Sequence, residues 1–134
     1  MTISIDAVCT DADLADEVGG PTALANLIPA EYGGVAVIPR TAILAEVMRS
    51  LARRTPPLYE ESLSDPSDLK AVVVAGTLEK LYRVSMTTTD GVFAVQRKIY
   101  AERYASELSG LMPSLSSGDG TGRAASFSFS LERR

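Results

Sequence analysis

Residues 65–86 read DPSDLKAVVVAGTLEKLYRVSM, and the fold turns on this stretch. Asp65 is a natural helix N-cap. Pro66 suits the first helical position, where its missing N–H is no loss, and Asp68 puts a carboxylate near the positive end of the helix. The spacing predicts a helix running to about Met86. Residues 71–76, AVVVAG, have no polar side, and a helix that is apolar all round sits at the centre of a fold. The apolar run 71–78 is far shorter than the roughly 20 residues that cross a bilayer. Gly76 costs about 1 kcal/mol against Ala in a helix. Two readings stand: simple tolerance, or a small residue that lets a neighbouring helix come close.

Downstream, TTTDG at 87–91 is a turn, with Thr89 or Asp90 as the next cap. A last helix is expected from about 91 to 111. Val92, Gln96, Ile99, Tyr100, Tyr104, Leu108 and Leu111 mark its inner face, and Arg97, Lys98, Glu102 and Arg103 its outer one. Two long helices joined by a short turn form an antiparallel hairpin. Upstream, Ile43, Leu44, Val47, Met48 and Leu51 recur at helical spacing and predict a helix over 40–54. Thr55-Pro56-Pro57 ends it, and residues 55–64 form a loop. Thr10 with Asp13 makes a capping pattern for a short helix that Gly19-Gly20-Pro21 stops. Residues 22–28 add a helical turn or two before Pro29. Residues 2–9 read as a short strand or extended lead-in, and residues 30–39 as extended.

The fold class is therefore mainly α: a small helical bundle built on a long antiparallel helix hairpin, with short extended segments and a flexible C-terminal arm. Residues 1–112 form the helical domain and residues 113–134 the arm. The arm holds six Ser and three Gly among its 22 residues, which is linker chemistry. Yet it closes with Phe127, Phe129 and Leu131 alternating with serines, then Glu132, Arg133 and Arg134. That alternation has strand periodicity, and apolar side chains of this kind need somewhere to pack. The expected role is contact with a partner or a neighbouring subunit through Phe127, Phe129, Leu131, Arg133 and Arg134; the competing reading folds the arm back on its own helices.

Composition narrows the chemistry. The 134 residues are 46% apolar and 22% charged, about one domain's worth. Histidine is absent, which excludes Ser-His-Asp and Cys-His schemes and His-ligated metals. One cysteine, Cys9, makes neither an intrachain disulfide nor a zinc cluster; it reads as a small buried apolar residue. No catalytic residue, metal ligand or cofactor site is expected, and the chain is read as not an enzyme. No Lys or Arg precedes Arg40, so the basic start of a signal peptide is missing, and synthesis in the cytoplasm is expected.

The net charge of −4 is unevenly spread. Residues 1–35 carry Asp6, Asp11, Asp13, Asp16, Glu17 and Glu31 and no base. This is either a solvated acidic face or a surface that must not stick to a polyanion. RSLARR at 49–54 reads as arginines capping helix carbonyls, or as a phosphate contact. Tyr100 and Tyr104 read as core rather than a stacking platform for bases. GDGTG at 118–122 lacks the Lys-Ser/Thr of a phosphate loop and reads as linker. Glu60-Glu61 is an isolated acidic pair with too few oxygens for a metal.

Taken together, the Pro-Pro loop, the DPSDLKAVVVAGTLEKLYR helix, the TTTDGVFAVQRKIYAERYASEL helix and the Ser/Gly-rich tail ending in arginines resemble the head–tail connector proteins of tailed bacteriophages, also called adaptor or head completion proteins. The resemblance covers residues 10–112 by helix order and length and the tail by its character. It implies a virion structural protein of the neck, between head and tail. Such a protein assembles as a ring of twelve neighbouring copies on the portal protein. It extends the DNA channel, through which DNA passes without specific binding, and offers a platform for the downstream neck or tail protein. No membrane is involved. The alternative is a small helix-turn-helix DNA-binding regulator that reads with the 40–54 helix, against which the net acidity and the Pro-Pro loop speak.

Overall fold

The structure is a computed structural model that describes residues 3–85 and 91–115. Among these residues lie six α-helices: α1 (Ile5–Val8), α2 (Asp11–Val18), α3 (Pro21–Leu27), α4 (Val37–Ala52), α5 (Lys70–Ser85) and α6 (Val92–Ser109). Short 3-10 turns occupy Ala30–Tyr32, Glu60–Ser62 and Pro66–Leu69. No strand is present among the described residues; a single antiparallel bridge joins Leu63 and Leu115. The fold is mainly helical, as the sequence predicts.

The DPSD signal works as expected. Asp65 accepts a hydrogen bond from the Ser67 N–H at 3.0 Å, the first turn is 3-10, and α5 follows. Every residue from Val72 to Leu78 is buried. That is possible only because α5 is the central helix: α6, α4, α2 and α3 all touch it. Antiparallel α6 supplies its longest contact and closes the hairpin. Tyr82 of α5 stacks on Tyr100 of α6, with ring centroids 5.8 Å apart and planes 8° apart, and meets the tilted ring of Phe93 at 5.7 Å.

Gly76 settles its two readings in favour of close approach. A Cβ built there would sit 2.7 Å from Ile43 Cγ2 of α4 and 2.8 Å from two ring carbons of Tyr104. Three helices meet at this point, and the missing side chain is what lets them. The next residue, Thr77, is fully buried, and its hydroxyl has no hydrogen-bond partner among the described residues.

The N-terminal capping signals also hold. Thr10 and Asp13 form a reciprocal capping box at the start of α2, and Gly19 ends that helix in the left-handed conformation at φ 102°. Two expectations are corrected. Residues 2–9 contain the helical turn α1 rather than a strand, because Arg40 bonds both the Asp6 carboxylate and the Cys9 carbonyl and clamps the turn between them. Residues 30–39 are not extended: a 3-10 turn and the Gly33-Gly34 pair, both at positive φ, lead into α4 at Val37. Pro39 fits the first turn of α4, where backbone N–H groups have no helical partner. At the other end of the hairpin, the N-cap of α6 is Gly91, not Thr89 or Asp90, and it offers no side-chain cap.

After α6 the chain returns to the start of α5. Pro113 is buried, the Ser114 N–H donates to Asp68 at 2.8 Å, and the Ser64 N–H donates to the Ser114 carbonyl at 3.0 Å.

Candidate functional site

The six acids of residues 1–35 look like a surface in the sequence; the structure leaves Asp6, Asp16, Glu17 and Glu31 exposed, yet ties four of the six to bases from other elements. Arg40, only 5% exposed, places Nε 2.9 Å from Asp11 Oδ1 and Nη1 3.1 Å from Asp6 Oδ1. Its Nη1 also donates to the Cys9 carbonyl at 2.6 Å. Asp11 does more than pair with Arg40. It also accepts the Ala36 N–H, at 3.2 Å, and so caps α4, whose own N-cap residue has no polar side chain. Lys70 Nζ lies 3.0 Å from Asp13, and Arg103 Nη1 lies 2.7 Å from Glu17. Glu17 also accepts from the Tyr100 hydroxyl at 3.3 Å. Four of the six acids thus fasten the N-terminal helices to α4, α5 and α6.

Electrostatics follow these contacts. Partial burial works against the charge on Asp13, but the Thr10 N–H and the Lys70 ammonium outweigh it and hold the carboxyl below its usual range. The same pair raises Lys70. Burial pushes the Cys9 thiol up to about 12, in spite of the Arg40 charge nearby, so Cys9 is no nucleophile at neutral pH. The cleft between α2 and the start of α5 holds about 450 Å³ and is lined by Asp13, Asp16, Glu17, Asp68, Lys70 and Arg103. Both of its bases are already engaged by carboxylates. No cluster of three or more metal-ligating side chains occurs among the described residues.

The basic segment at the end of α4 does cap carbonyls, though not those of its own helix. Arg54 donates to the Leu108 and Leu111 carbonyls at the end of α6, where a cation suits the negative end of the dipole. Arg49 and Arg53 are exposed. Tyr100 and Tyr104 are structural, as expected. Tyr100 is buried, and Tyr104 donates to Glu46 at 2.8 Å. Burial, reinforced by these carboxylates, raises both phenols. The Tyr100 ring stacks on Tyr82, and the Arg103 guanidinium lies over it, 5.2 Å from its centroid.

The face assignment on α6 is corrected. Val92 is 75% exposed and Ile99 46%, so neither belongs to the inner face. Arg97 pairs with Glu79 of α5 at 3.0 Å and Arg103 with Glu17 of α2, so the arginines are not simply outward. The reason is geometric. Four-residue steps drift by roughly 40° each on a helix of 3.6 residues per turn. A face drawn through 92, 96, 100, 104 and 108 therefore winds part-way round the helix. What the drawn face hid is a second apolar stripe: Val92, Val95 and Ile99, spaced i, i+3, i+7, all exposed and none of them packed against the core among the described residues. The sequence signal for it is present, since this spacing marks one side of a helix. The same spacing serves a core face equally well, and that is why pattern alone does not separate the two.

The expected partner-binding residues Phe127, Phe129, Leu131, Arg133 and Arg134 lie outside the described residues, as does the GDGTG segment. Among the described residues, the aliphatic stripe of α6 is one exposed apolar surface, beside others that include Val35, Val37, Ile38 and Val84. No family model, no curated protein and no solved structure matches this chain.

Proposed function

We propose that the chain is a virion structural protein, a head–tail connector that binds the portal and neighbouring copies of itself and receives the next neck or tail protein. One observation supports it most. The outer helix of a well-packed hairpin carries a stripe of bare aliphatic side chains, and a rigid helix with such a stripe is built to meet protein. The order and length of the helices add the resemblance given above. A heterologous contact repeated head to tail closes into a ring when the rotation permits, and twelve copies is the expected number. The acids of the N-terminal helices also tie the elements together: Asp6, Asp11, Asp13 and Glu17 are all held by bases.

The test is an affinity capture of the tagged chain from the cells that naturally produce it, with the partners identified by mass spectrometry. A parallel capture uses Val95→Glu/Ile99→Glu. Recovery of a portal protein with the parent chain, lost with the variant, is the expected result. Recovery of no virion protein, with DNA bound in a steeply salt-dependent manner instead, would overturn the connector reading and favour the regulator. In that case substituting Arg49 and Arg53 would abolish the DNA binding.

A further inference from the structure

We infer that the α6 stripe of one copy docks on the outer face of α4 of the next, with the two helices parallel and Glu102 of the first meeting Arg49 of the second. The inference rests on the connector reading and names the surfaces through which its neighbouring copies meet.

Two helices turn a long outer face to solvent. At about 100° per residue, Val92, Val95 and Ile99 fall within one sector of α6, and the exposed Glu102 continues it. On α4 the exposed sector holds Ile38, Thr41 and Ala45, and Arg49 continues it. Ile38 is 55% exposed and, like its exposed neighbour Val37, is not packed against the core among the described residues. The two faces have the same order: two turns without charge, then one charge. Glu102 stands about 15 Å along α6 from Val92, and Arg49 about 16 Å along α4 from Ile38. The charges are opposite, and neither has an ion pair among the described residues.

That order discriminates among the ways in which two copies can meet. Stripe on stripe, antiparallel helices press Glu102 against Val92, and parallel helices set Glu102 against its own copy. Two α4 faces fail alike, with Arg49 against Ile38 or against its own copy. Antiparallel α6 on α4 puts both charges on aliphatic side chains. A charge so placed loses water and gains no partner, and like charges repel. Parallel α6 on α4 alone sets apolar against apolar and charge against counter-charge. The pair fixes direction and register more than it adds strength. Shape agrees: Val92, Val95 and Ile99 form a ridge, and the short Thr41 and Ala45 side chains leave room for it. The contact is heterologous, so its repetition closes a ring when the rotation permits. Each copy then makes two such contacts, and the closed ring holds what a single pair would release. Breaking the ring with Val95→Glu/Ile99→Glu would cost the portal its many-fold partner as well.

Thiol cross-linking of full-length chains tests this. Ala45→Cys and Ile99→Cys are made in separate chains, one carrying a larger tag, then mixed at high concentration and oxidised. Cys9 is fully buried and its thiol pushed up to about 12, so it stays out of the reaction. The mixed disulfide should exceed either homodimer by at least about fivefold on a non-reducing gel, because the charge order penalises like-on-like pairing. Adding Arg49→Glu to the Ala45→Cys chain should remove most of the mixed product. Adding Glu102→Arg to the Ile99→Cys chain should then restore it, which no folding defect in the first chain would allow. A mixed product no greater than the homodimers, one indifferent to Arg49→Glu, or a loss that Glu102→Arg leaves unrepaired would overturn the inference. A dominant Ile99→Cys homodimer would make the contact a pairing of two stripes instead. No portal and no DNA are present. Failure here with a portal protein captured removes this contact and leaves the connector reading; cross-linking here with no virion protein captured does the reverse.

Discussion

Replacing Gly76 with alanine should destabilise the protein, although alanine is the better helix former. The gain in propensity is about 1 kcal/mol. Against it stands a new methyl 2.7 Å from Ile43 Cγ2 and 2.8 Å from two Tyr104 ring carbons. Neither neighbour yields easily. Ile43 is β-branched and has one strongly preferred rotamer in a helix. The Tyr104 ring is pinned by its hydroxyl on Glu46. Overpacking of a closed core costs about 1–3 kcal/mol, and two simultaneous contacts place this site at the upper end. The expected net loss is about 1–2 kcal/mol, or a fall of about 4–8 °C in Tm for a domain of this size. Urea unfolding followed by far-ultraviolet circular dichroism reads it directly, with the midpoint lowered and the slope unchanged. In a Tyr104→Ala background the ring contacts vanish, and the alanine penalty should shrink by at least about 0.5 kcal/mol. An alanine variant as stable as the parent, or more so, would refute the argument, because it would show that α4 and α6 can part without cost.

Arg40→Met should cost about 3–5 kcal/mol, because it strands the Asp11 carboxylate and the Cys9 carbonyl; thermal unfolding measures it, and a loss under about 1 kcal/mol would deny Arg40 its role as a clamp. Thr77→Val should stabilise by about 1 kcal/mol, since an isosteric methyl replaces a buried hydroxyl that has no partner among the described residues; a lower urea midpoint would mean that the hydroxyl has a partner. The Asp13–Lys70 pair should give a stability plateau with two edges. Asp13 lies below its ordinary 3.8 in the folded state, so its contribution is complete above 3.8 and is lost as pH falls through the lower folded value. Lys70 lies above 10.5, so its contribution is complete below 10.5 and is lost as pH rises through the higher folded value. The difference in urea midpoint between the parent and Lys70→Met should therefore be present between these limits and vanish outside them; a difference that ignores pH would exclude the pair as its source.

The helices of this protein were legible where local chemistry and tertiary packing agree. The Asp65 cap, the Thr10–Asp13 box and the all-apolar 71–76 run each act within a few residues, and each is where the sequence puts it. The start of α4 was not legible, because its cap is Asp11, 25 residues earlier. The turn of α1 was hidden for the same reason, being held by Arg40 from a distance of 34 residues. The acids of residues 1–35 are largely the surface the sequence suggests, but their ion pairs were not legible, because the partners at 40, 70 and 103 are invisible to any window on the chain. The inner face of α6 was drawn through Val92 and Ile99 because two apolar spacings overlap on that helix, and only packing against α5 decides between them. The candidate interaction stripe is what that decision leaves over.

The long ion ties of α2 bear on the order in which the protein is made. Glu17 waits 86 residues for Arg103, and at synthesis rates of about 5–20 residues per second that is roughly 4–17 s. Throughout this interval the first 35 residues leave the ribosome with six negative charges and no base of their own. Self-repulsion keeps such a segment hydrated and open rather than collapsed onto itself. Each base that emerges then recruits one more piece of it: first Asp6 and Asp11, then Asp13, and last Glu17. The anchoring of the N-terminal helices thus begins before the hairpin exists and is complete only once its outer helix has been made.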